Sequence, residues 1–156
     1  MKRTSTERAY MAAAVENASP AGLVVILMDL LVSDLKQAIA AMQSQDIEKR
    51  SAELKHGFMV LQELQEGLDM EKGGDAAKHL SRFYSVIRTR MLEAQLKKDP
   101  KILERQIELL LDVRQAWQQV DTQKSAAAGS TAPTEKSLPV QNTPAQDEEA
   151  QASWTA

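Results

Sequence analysis

The chain has 156 residues, of which 43% are hydrophobic and only 4% aromatic, and its formal net charge at pH 7 is −3. This length indicates one domain with a real core, and the absence of cysteine excludes disulfides, thiolate catalysis and cysteine-bound metals. Residues 121–156 carry the whole negative excess. A neutral 1–120 beside an acidic segment argues against nucleic-acid binding, which needs a basic patch.

The N-terminal segment up to Glu16 is predicted to be a short helical or irregular piece that packs on one end of the fold. Its basic start, Lys2 and Arg3, is interrupted by Glu7 before any apolar run. The unbroken apolar run over 21–28 is far shorter than the ~20 residues that a membrane span needs. We therefore expect no secretion signal, no membrane insertion and a cytoplasmic location.

The first long helix is predicted to begin at Ser19-Pro20. A serine N-cap accepts a hydrogen bond from a free backbone N–H, and proline at the first helical position loses no bond. From 21 to 42, apolar side chains cover most of the helix circumference, more than the stripe of about 100° that is typical of a surface helix. This surplus indicates a central helix packed on several sides or a groove for a partner's apolar helix, and the two are compatible.

Three further helices follow, and each has a start signal. Asp46 is a candidate N-cap before an apolar repeat, and Asp75 is a candidate cap after the Gly73-Gly74 break. The last helix is predicted to begin at Asp99-Pro100. Short connections make consecutive helices antiparallel neighbours. The expected fold is all-α: an up-down antiparallel four-helix bundle with a short N-terminal segment and a disordered C-terminal tail.

The tail is predicted from composition. Residues 121–156 hold three of the five prolines among Ala, Ser, Thr and Gln, and they have too little apolar surface to offset the entropy of ordering. We expect a helical bundle over 1–120 and a disordered acidic tail over 121–156, with Trp154 as an exposed residue near the end.

Residues that could carry chemistry are few. His56 and His79 lie on different predicted helices without a second ligand at helical spacing, so we expect solvated histidines. The run 69–75 resembles a calcium loop only superficially, because Gly73 and Leu80 stand where that loop needs oxygen ligands. We expect no enzyme, no cofactor and no metal, and hence a binding function. A phosphotransfer bundle that uses His56 stays open as an alternative.

Several motifs, in the same order and spacing, resemble those of the FliS family of flagellar export chaperones. They are Tyr10 and Val15 before Ala18-Ser19-Pro20, then Leu23, Leu27 and Asp29, Asp46-Ile47, Leu68-Asp69 before Gly73-Gly74, Leu80 with Tyr84, and Arg114 before Ala116-Trp117. The resemblance covers about residues 8–120.

The resemblance implies a cytoplasmic chaperone that binds the C-terminal segment of flagellin, which is disordered in the monomer and helical in the filament. Such a protein prevents premature polymerisation and delivers flagellin to the cytoplasmic domain of the flagellar type III export gate. We expect a monomer or weak homodimer. The alternative within the same class is a bundle chaperone or adaptor for another secreted client. The predicted flagellin-binding residues are Tyr10, Val15, Ser19, Pro20, Leu23, Leu27, Leu30, Met42, Leu61 and Leu64.

Overall fold

The computed structural model describes the backbone of residues 4–136 and the side chains of residues 4–127.

The N-terminal segment is a helix with its own cap. Helix α1 spans Ser5–Asn17. The hydroxyl of Thr4 accepts a hydrogen bond from the Glu7 N–H at 3.2 Å, and the Glu7 carboxylate accepts one from the Thr4 N–H at 2.8 Å. This reciprocal pair satisfies two backbone donors at the helix start, which makes α1 helical rather than irregular.

The next two helices begin where the sequence predicts. Helix α2 spans Pro20–Gln43, and the Ser19 hydroxyl accepts a hydrogen bond from the Gly22 N–H at 3.0 Å. Helix α3 spans Ile47–Glu66, and the Asp46 carboxylate accepts one from the Lys49 N–H at 3.0 Å.

The start of α4, which spans Gly74–Lys97, corrects one prediction. Its N-cap is Gly73, which makes no side-chain bond, and Asp75 lies within the first turn instead of capping it. The reason is that Gly74, with φ of 55°, turns the chain one residue earlier than the acidic side chain. Helix α5 spans Pro100–Lys136, and the Asp99 carboxylate accepts a hydrogen bond from the Lys101 N–H at 3.0 Å.

Helices α2 to α5 share one hydrophobic core, and residues 4–136 contain helices without any strand. Helices α2 and α5 are antiparallel, because Ser19 bonds to Asp121 while Asp29, further along α2, bonds to the earlier Arg114. The all-α helical bundle is thus confirmed. Its largest fully buried side chains are those of Met28, Leu31, Leu35, Leu54, Leu61, Tyr84, Ile87, Met91, Leu103 and Leu110.

The C-terminal boundary lies inside a helix. The first compact unit of the chain ends at Asp121, yet α5 continues as a helix through Lys136, past the predicted start of the disordered tail. Residues 137–156, with Trp154, lie outside the described residues. The division into a bundle and a disordered tail therefore stays a prediction. None of the described helices combines the length and apolar character that crossing a membrane requires.

Candidate functional site

An apolar groove lies where α2 begins, α3 ends and α4 begins, and Trp117 of α5 forms part of its wall. We call it the Trp117 groove. Its volume is about 660 Å³, which lies within the range of pockets that bind ligands. Its apolar lining consists of Pro20, Leu23, Val24, Leu27, Leu64, Leu68, Ala76, Ala77, Leu80, Tyr84 and Trp117, and its charged edge of Glu63, Glu66, Asp69 and Lys72.

The loop between α3 and α4 closes one end of this groove, and a single carboxylate shapes it. The Asp69 side chain accepts hydrogen bonds from the backbone N–H groups of Glu71 at 3.1 Å and of Lys72 at 2.8 Å. A Cβ on Gly73 would lie 2.6 Å from both the Asp69 carbonyl oxygen and the Ala77 Cβ, so the loop packs there only with glycine. The run 69–75 is therefore a turn, and the Asp69 carboxylate is hydrogen-bonded to the backbone of that same turn.

Tyr84 also lines the groove but is anchored in the core, with 1% of its surface exposed. Burial raises the pKa of its hydroxyl to about 12, because the charged phenolate would lose its solvation. Its ring centroid lies 5.8 Å from that of Phe83. Tyr84 is thus neutral at physiological pH and contributes a fixed, mainly apolar surface.

Polar contacts fasten the turn of α5 that carries Trp117 to α2. The Arg114 guanidinium donates two hydrogen bonds to the Asp29 carboxylate, at 2.5 and 3.0 Å, and a third to the Gln118 side chain at 2.9 Å. The bonds to Asp29 raise the pKa of Arg114 above its ordinary value, because they stabilise its charged form. Ser19 also donates a hydrogen bond to Asp121. Trp117 lies between these two attachments in the sequence, so its position on the groove wall is well supported.

A second groove, of about 510 Å³, lies between α1 and α2. We call it the Tyr10 groove, and it is lined by Thr6, Glu7, Tyr10, Met11, Asp29 and Leu30. Tyr10 is 75% exposed, and α1 has no buried residue. One wall of this groove is therefore held only through partly exposed side chains.

The structure distributes the predicted site residues over several places. Pro20, Leu23, Leu27 and Leu64 line the Trp117 groove, whereas Tyr10 and Leu30 line the Tyr10 groove.

The other predicted residues lie outside both grooves. Ser19 caps α2, and Val15 is exposed on α1. Met42 packs half-buried against the core, and Leu61 is fully buried in it. Two further residues of the Trp117 groove, Trp117 and Tyr84, were not among the predicted binding residues.

His56, which the sequence predicts to be solvated, has a side-chain partner in the structure. Its Nδ1 lies 2.6 Å from an Oδ2 of Asp34, whose side chain is 5% exposed, while the histidine side chain is 48% exposed. The pair links α2 to α3. No group of three or more His, Cys, Asp or Glu side chains in the described part of the chain could hold a metal ion.

Comparison with known proteins gives consistent results. Residues 3–124 match the profile of the family described as flagellar protein FliS. The chain is 34% identical over 103 residues to the flagellar secretion chaperone FliS of Vibrio cholerae, and the aligned residues cover 66% of this chain and 76% of that protein. It is 33% identical over 113 residues to the FliS chaperone of Salmonella typhimurium, with 72% and 84% covered. It is 32% identical over 105 residues to the chaperone FliSB of Pseudomonas aeruginosa, with 67% and 83% covered.

Proposed function

This chain belongs to the FliS family of flagellar secretion chaperones, and we propose that its client is flagellin. It binds the C-terminal segment of flagellin in the cytoplasm, keeps that segment from nucleating polymerisation, and delivers it to the cytoplasmic domain of the export gate. The observation that supports this most directly is the Trp117 groove, an open apolar surface on a chain whose relatives are named secretion chaperones.

The physical demands of the task fit such a groove. A disordered segment that folds on binding buries on the order of 1,000–3,000 Å² and loses roughly 2–5 kcal/mol to ordering. Apolar contact must offset that loss, and burial contributes about 25 cal/mol per Å² of apolar surface. Two apolar grooves along one bundle offer more contact than either alone. An amphipathic helix uses such grooves through anchors on one face.

Calorimetric titration of the full chain with a peptide from the C-terminal segment of flagellin of the same organism tests the proposal. We expect one-to-one binding with a large negative heat-capacity change, because apolar surface is buried. A folded protein that releases no heat over a range of temperatures would contradict flagellin as the client. The other secreted client that the sequence left open would then take its place.

The two later steps are tested separately. Light scattering of purified flagellin measures polymerisation, and we expect stoichiometric chaperone to suppress it. Pull-down on the isolated cytoplasmic domain of the export gate measures delivery, and we expect the chaperone–flagellin complex to bind. Suppression of polymerisation without gate binding would retain the chaperone role and remove the delivery role.

A further inference from the structure

Acidic side chains outnumber basic ones at the edge of the Trp117 groove. Glu63, Glu66 and Asp69 stand there with a single cation, Lys72. Among the residues whose side chains are described, none of these three carboxylates forms a salt bridge. Glu66 accepts a hydrogen bond only from the neutral side chain of Gln62, at 2.7 Å. The apolar groove thus has an acidic edge with unpaired carboxylates.

We infer that this groove selects a client segment in which the apolar anchors are flanked by lysine or arginine. The inference rests on the proposed chaperone function and specifies the chemistry of the segment that the Trp117 groove accepts. The apolar lining supplies affinity, whereas the carboxylates supply selectivity, because charge pairs at an edge discriminate between partners more than they add affinity. A segment with acidic flanks is repelled from the same edge.

The charge pattern also argues against the chain's own C-terminal segment as the occupant. Residues 137–156 contain Asp147, Glu148 and Glu149 and no lysine or arginine. Their charge has the same sign as the groove edge. A partner segment with basic flanks is therefore the complementary occupant.

The two glutamates are suitable for the test, and the aspartate is not. Asp69 holds the loop through its backbone hydrogen bonds, so its loss would disturb the groove itself. Glu63 and Glu66 are exposed and lie three residues apart on the last turns of α3. Their replacement by glutamine removes charge while keeping the size and shape of the side chains.

The experiment uses Trp117 as the reporter. The chain has two tryptophans, so Trp154→Phe in the full chain leaves Trp117 alone to report on the groove. Three synthetic amphipathic peptides share the same leucine anchors and differ only in flanking lysine, glutamine or glutamate. We expect the lysine peptide to bind tightest and the glutamate peptide weakest, with a preference that declines as salt is added.

In the Glu63→Gln/Glu66→Gln variant, we expect the preference for the lysine over the glutamine peptide to decline about three- to tenfold. Affinity for the glutamine peptide should change little. The matched control is Glu104→Gln, an exposed glutamate on α5 that lines neither groove, and it should leave the preference intact.

Titration of the same proteins with the flagellin peptide distinguishes a wrong client from a wrong account of the groove edge. If flagellin binds but the double variant keeps its lysine preference, or no synthetic peptide alters Trp117 fluorescence, the inference about the groove edge is overturned. If flagellin itself does not bind while the lysine preference depends on the two glutamates, the inference holds and the proposed client is wrong.

Discussion

The two grooves differ in what holds their walls. The Trp117 groove is built from α2, α3, α4 and α5, and its walls are joined to the core through residues such as Tyr84 and Leu64. The Tyr10 groove has one wall from α2 and one from α1, a helix without a single buried residue. We therefore expect the first groove to be fixed before a client binds, and the α1 wall of the second groove to move at a lower cost in free energy. Substitutions can test this contrast, and the largest effects are expected at the fixed groove.

Leu23→Asp should abolish flagellin binding, a loss of at least about tenfold, because it places an unpaired carboxylate in the apolar lining. Calorimetry measures the loss. Leu27→Asp should also abolish binding, but Leu27 packs against the core, so its variant is interpretable only if circular dichroism shows that it is folded. The matched control is Leu96→Asp, at a leucine that is 84% exposed on α4. Undiminished binding by a folded Leu23→Asp protein would show that the client binds outside the Trp117 groove.

Gly73→Ala should lower the free energy of unfolding by about 1–3 kcal/mol, because the new Cβ overlaps the backbone of the loop and Ala77. Urea unfolding measures this effect. At Gly67 the nearest atom to a Cβ is 3.4 Å away, so Gly67→Ala is the matched control and should be tolerated. Equal stability of the two variants would mean that the loop adapts and that this wall is not fixed.

Arg114→Ala should lower the free energy of unfolding by about 1 kcal/mol or less, since the pair with Asp29 is partly exposed. The clearer consequence is expected at Trp117, whose fluorescence should shift to longer wavelength in the Trp154→Phe background as α5 loosens from α2. Arg105→Ala, which removes a more exposed pair with Glu108 on α5 alone, is the control. An unchanged Trp117 spectrum would indicate that apolar packing alone positions this wall.

Thr4→Ala should have the smallest effect on global stability, because it removes a cap from the helix that forms the loosely held wall. Hydrogen exchange should show faster exchange in 5–17 and unchanged rates in α2. Addition of the flagellin peptide should also change protection in 5–17 if α1 covers apolar surface in the free protein and moves on binding. Identical protection with and without the peptide would contradict that movement.

The helix starts could be predicted from the sequence because caps act locally. Ser19 and Asp46 each bond to a backbone N–H three residues ahead, and this spacing is visible in the sequence. Asp75 failed as a cap because the backbone of Gly74, rather than the most acidic nearby side chain, determined where α4 begins.

The site was less predictable because it depends on contacts between distant residues. Leu61 and Leu64 belong to the same apolar face of α3, yet only the second lines the Trp117 groove. Trp117 lines the same groove although it lies 94 residues after Leu23 in the sequence. Asp29 and Arg114 lie 85 residues apart in the sequence. Each belongs to a recognisable motif, but the motifs do not show that the two side chains bond to each other.

The capping box of α1 has a consequence for the energetics of binding. Because Thr4 and Glu7 bond to each other, this capping box lies within α1 and its two hydrogen bonds do not depend on α2. Once separated, a helix of 13 residues is marginal in water, so its residues regain backbone freedom worth about 1–2 kcal/mol each as they unwind. If client binding releases α1, then α1 unwinds while the client segment folds, and the entropy gained by the first offsets part of the entropy lost by the second.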